Sequence, residues 1–130
     1  MESRIQAYIE EVTEYLARPR EVCDMSLRSR WEVAEDEFSL EGHRFYVMEA
    51  EFSNVMTFTK ARLITVKSIE FPDMEALSIA YEPDFDDIQH RVNACQMLAS
   101  KFVKDMLPKV DYRFKIQMHN EEVERLLEEL

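Results

Sequence analysis

The chain has 130 residues, 46% of them hydrophobic, with 27 acidic against 16 basic side chains and a formal charge of −11. That length fits a single domain spanning 1–130, and the apolar share supplies a core without a metal or disulfide staple. The acidic balance argues against direct nucleic-acid binding or attraction to anionic lipid, and leaves a basic protein partner or a simply well-solvated surface.

The first element is helical: Ile5, Tyr8, Ile9, Val12, Tyr15 and Leu16 recur at three- and four-residue spacing, Ser3 with Gln6 can cap the start, and Pro19 ends it. Strand-like alternation follows, with Leu27, Trp31 and Val33 pointing one way and Arg28, Arg30 and Glu32 the other. A turn at Glu41-Gly42 leads into residues 44–52, where Tyr46, Met48, Ala50 and Phe52 are expected on the inner face. Residues 55–67 read as a third strand whose alternation breaks near Lys60, and Leu77, Ile79 and Tyr81 suggest a short fourth.

Residues 86–107 carry the longest helical stripe, through Ile88, Val92, Cys95, Ala99, Phe102, Val103 and Met106, with Pro108 after it. Tyr112, Phe114, Ile116 and Met118 alternate with Arg113, Lys115 and Gln117, a strand signal. Asn120 then offers an N-cap for a short final helix whose apolar face is Val123, Leu126, Leu127 and Leu130. The expected class is α+β: a mostly antiparallel sheet of four to five strands, helices on one face, order α-β-β-β-(β)-α-β-α.

No pattern points to catalysis. The single glycine, Gly42, excludes glycine-rich phosphate loops. Asp86, Asp87 and His90 could approach one metal ion on a helix, but no further ligand pair stands at matching spacing, and the better account is that the aspartates cap the helix dipole and His90 is solvated. His90 and Cys95 lie five residues apart and turn away from each other, and Cys95 falls on the apolar stripe. The expectation is therefore no catalytic residue, no metal ligand and no cofactor. With no signal peptide at Met1 and no long apolar run, a cytoplasmic location is expected.

Two features point to binding. Arg28, Arg30, Arg113 and Lys115, on the polar sides of two predicted strands, would form a basic patch on an open sheet face if those strands were neighbours; otherwise they pair with Glu32 and Glu49. The ten residues 121–130 are too few for an isolated helix to be stable in water, so Val123, Leu126, Leu127 and Leu130 must dock on the chain's own core, a second copy or a client. The first expectation is a non-enzymatic protein-binding module (adaptor, dedicated chaperone or inhibitor), with a homodimer as one form it could take. The alternatives are an acidic nucleic-acid mimic or toxin-immunity inhibitor, and a small-ligand or metal-dependent enzyme using carboxylates and His90. In mass, acidity and terminal helix the chain is similar in outline to the small acidic chaperones of secreted bacterial effectors. That resemblance implies an α+β fold and dimerisation, and assigns no residue a role.

Overall fold

A computed structural model describes residues 3–20, 31–54, 56, 59–83 and 88–130, leaving aside the side chains of 31–33, 53–54 and 59. Helix α1 (Arg4–Ala17) leads into four strands: β1 (Trp31–Leu40), β2 (His43–Asn54), β3 (Thr59–Ser68) and β4 (Leu77–Tyr81). Helix α2 (Ile88–Lys101) follows and continues through a π-turn over Phe102–Met106 into α3 (Leu107–Val110); α4 (Tyr112–Glu128) closes the chain. The strands form one antiparallel meander in the order β1-β2-β3-β4. The expected α+β class stands.

The β1–β2 hairpin is set by its two-residue turn. Glu41 (φ 50°) and Gly42 (φ 82°) both occupy the left-handed region that such hairpins require, and Leu40 pairs with His43 across it. From that corner, alternation sends Phe38 and Leu40, Phe45 and Val47, and Ile64 and Val66 toward the helices. There they meet Tyr8, Ile9, Val12 and Leu16 of α1 and Cys95, Leu98, Ala99 and Phe102 of the α2 rod. Phe45 and Phe102 meet edge to face with centroids 4.7 Å apart, a favoured aromatic geometry at the centre of the core.

Two sequence expectations change here. The inner face of β2 is Phe45, Val47 and Glu49; of the residues expected there, Tyr46, Met48 and Phe52 are only partly buried and alternate to the other side, while Ala50 is buried but stands outside the main core cluster. A fully buried glutamate in the inward row disguises the true period. The second change concerns residues 112–118, which are helical rather than a strand, and Asn120 lies inside α4 rather than at its start. The N-cap is Asp111, in extended conformation, whose carboxylate accepts from the Arg113 backbone N–H at 2.9 Å. Upstream, the rod passes Pro108 instead of ending before it. Leu107 N–H reaches back to Phe102 C=O in the π-turn, a wide turn directly before the proline that would otherwise clash with the helix.

Burial of Glu49 is made tolerable by three arginines. Its Oε1 accepts from Arg91 at 2.7 Å and Arg20 at 3.3 Å, and its Oε2 from Arg62 and Arg91, each at 2.8 Å. Burial pushes the Glu49 carboxyl pKa up, but Arg91, then Arg62 and Arg20, outweigh it and hold the group below the usual carboxylate range. The same arginines finish α1: Arg20 donates to Tyr15 and Leu16 C=O, and Arg91 to Ala17 and Arg18 C=O. Carbonyls that a helix C-terminus leaves without intrahelical donors are thus satisfied by the charge cluster that locks α1 to β2 and α2.

Candidate functional site

Helix α4 is held to the rest of the molecule at two points on one of its faces. Phe114 is buried and meets the Tyr8 ring edge-on, with centroids 5.5 Å apart. Two turns further on, Glu121 caps the start of α1. Its Oε1 accepts from Arg4 N–H at 2.8 Å and Ile5 N–H at 3.2 Å, and its Oε2 accepts from Ser3 Oγ at 2.9 Å. Ser3 in turn accepts from Gln6 N–H, so the expected Ser3 cap forms, and Glu121 satisfies the neighbouring Arg4 and Ile5 donors beside it. A carboxylate at this end also complements the helix dipole.

A third tie fixes the beginning of α4. His43, just past the hairpin turn, places Nδ1 2.9 Å from Glu70 and Nε2 2.9 Å from Asp111, the α4 N-cap. Hydrogen bonds to Asp111 and then Glu70 raise its pKa above the ordinary imidazole value despite opposing burial. Asp111 also grips Arg113, with 2.6 Å to Nη2 and 3.0 Å to Nε; that pair and His43 hold its carboxyl well below the usual range.

Seven-residue spacing puts Phe114, Glu121 and Glu128 on one line along α4. The opposite line carries Tyr112, Ile116, His119, Val123, Leu126 and Leu130, at alternating four- and three-residue steps, with Leu127 beside it. This is an a/d heptad seam facing solvent. Its apolar members range from 40% exposed at Val123 to 100% at Leu130, and α4 buries only Phe114. At 1.5 Å per residue the helical part of the seam, from Tyr112 to Leu126, is about 21 Å long. On its flank an open groove of about 930 Å³ runs between the first turns of α1 and the length of α4 as far as Glu128, with Ile5 and Ile9 across from Ile116.

The residues singled out from sequence separate accordingly. Val123, Leu126, Leu127 and Leu130 share the exposed face, and the structure adds Tyr112, Ile116 and His119, which a strand reading divides between two sides. Arg113 and Lys115 lie on α4, so the strand placement expected for them does not hold: Arg113 pairs with Asp111, and Lys115 sits 5.9 Å from the Tyr112 ring. Arg28 and Arg30 lie outside the described residues, as do Cys23, Leu27, Asp86 and Asp87. Glu49, the expected counter-charge, is taken by Arg20, Arg62 and Arg91.

Cys95 is buried, and burial pushes its thiol up to about 11, so it is a core side chain rather than a nucleophile. His90 is exposed on α2. Among the described residues, no three His, Cys, Asp or Glu side chains converge to hold a metal ion, and no helix is long and apolar enough to cross a membrane. No protein family, curated protein or solved structure matches the chain.

Proposed function

We propose that this chain is a non-enzymatic protein-binding module, of the adaptor, dedicated-chaperone or inhibitor kind, whose docking surface is the outward face of α4. One observation carries the reading: α4 faces its own body through Phe114 and Glu121 and turns its continuous a/d seam to solvent. A row of large apolar side chains along one exposed face costs solubility and gives the monomer nothing, whereas a helix or groove laid on it would remove that surface from water. The helix is already ordered by its ties to α1 and the hairpin, so a partner meets a preformed surface and little ordering entropy is lost on binding.

Replacing Leu126 and Leu127 together by Asp tests this. Both are at least half exposed, so folding stability should change by no more than about 0.5 kcal/mol per site. Proteins retained by the wild-type chain should be lost from the double variant, and retention should persist at raised salt. Unchanged retention by the variant contradicts the reading. Retention lost in salt alone favours a charge-led partner of the nucleic-acid-mimic kind.

A further inference from the structure

Resting on the docking reading above, we infer that the occupant of the α4 seam is a second copy of the same helix, laid antiparallel across a two-fold axis. The seam is complementary to itself in that direction. With Tyr112 opposite Leu130 of the second copy, Ile116 falls opposite Leu126 and His119 opposite Val123, so every layer places an aliphatic side chain against a different partner. A two-fold axis then repeats each contact on its other side, closing the assembly at two chains.

Charge favours the same direction. Flanking the seam at the g positions are Lys115, Glu122 and Glu129. Antiparallel helices bring g positions together, which places Lys115 beside Glu129 of the second copy, and the symmetry makes that pair twice. Glu122 meets its own copy near the axis, a single like-charge contact against two opposite ones. A parallel arrangement would instead set g against e, putting Lys115 beside Asn120 and Glu122 beside Leu127, with no opposite charges meeting and His119 stacked on itself. Neither Lys115 nor Glu129 has a carboxylate or ammonium partner within its own chain among the ion pairs of the described residues.

This geometry gives a test by mixing. The Lys115→Glu variant sets two carboxylates against each other at both contacts of its own dimer, and the Glu129→Lys variant sets two ammonium groups there. Each variant alone should dimerise roughly tenfold more weakly than wild type, from two attractive pairs turned repulsive. An equimolar mixture pairs the new carboxylate with Glu129→Lys at one contact and leaves the original Lys115 and Glu129 facing each other at the second. Opposite charges then meet at both, and the mixture should regain wild-type association in sedimentation velocity at low salt. Failure of the mixture to regain it, single variants that dimerise like wild type, or a monomeric wild type each overturn the antiparallel pairing. A monomeric wild type whose Leu126→Asp/Leu127→Asp variant still loses its bound protein overturns self-pairing alone; a monomeric wild type whose variant retains that protein overturns both readings.

Discussion

His43 shows how one side chain can couple an element's attachment to solution conditions. Its ring lies between two carboxylates, so only the imidazolium can donate to both Glu70 and Asp111. Its pKa is raised in the folded protein, so its contribution is fully present below about 6.5 and is lost as pH rises through the folded value. Asp111 and Glu70 work in the other direction: their lowered pKa values contribute above the ordinary carboxylate range, and that contribution is lost as pH falls. The clasp at the head of α4 is therefore strongest in the window between. We expect the His43 ring to titrate above 6.5 by NMR, and the melting temperature to fall through that titration in wild type but not in His43→Gln. A His43 pKa at or below the ordinary imidazole value, or equal slopes in the two proteins, contradicts this. The sequence places His43 beside a turn and no more, because Glu70 and Asp111 are brought to it only by tertiary contact. Glu49 was hidden for a related reason. An acidic residue in a strand signals a solvent face, and only the convergence of Arg20, Arg62 and Arg91 makes an inward position tolerable. Removing one partner from so buried a cluster typically costs about 3–5 kcal/mol.

At the scale of elements, the long-period signals were legible and the short ones were ambiguous. The α1 stripe, the α2 stripe from Cys95 onward and the Glu41-Gly42 turn stand where their residues place them, whereas Ile88 at the head of α2 is exposed. Residues 112–118 fit a two-residue period and a helical one equally well over so short a window. The decision is made by the seven-residue line through Phe114 and Glu121, which only a continuous helix can bring to the body at both points. Read as one heptad run from Tyr112 to Leu130, the sequence does contain this signal. Glu121 is the more telling contact, since it satisfies orphan donors of α1 from a residue more than a hundred positions away. Glu121→Ala should destabilise the protein by about 1 kcal/mol in urea unfolding, with faster amide exchange at Arg4 and Ile5. Gln at this position retains an acceptor and should recover part of the loss. Unchanged exchange at both amides would show that the clamp does not hold α1.

For the whole molecule, an acidic chain and an apolar seam make opposing demands. A charge of −11 keeps chains apart in dilute solution, while the exposed leucines of α4 draw an apolar partner in. Association led by the seam should therefore hold or strengthen as salt screens the general repulsion, whereas association led by acidity should weaken. The fold supports this division: the sheet and two of the helices enclose the core, and α4 is tied to them by one buried phenylalanine and a set of polar clamps. The most direct measurement is site-specific photo-cross-linking in the native cell, with the reactive side chain at Leu126 on the seam or at Glu10 on the exposed face of α1. Protein adducts are expected from position 126, whether to a second copy or to another chain, and none above background from position 10. Equal labelling from both positions, or none from 126, would contradict the claim that the outward face of α4 is where this protein meets its partner.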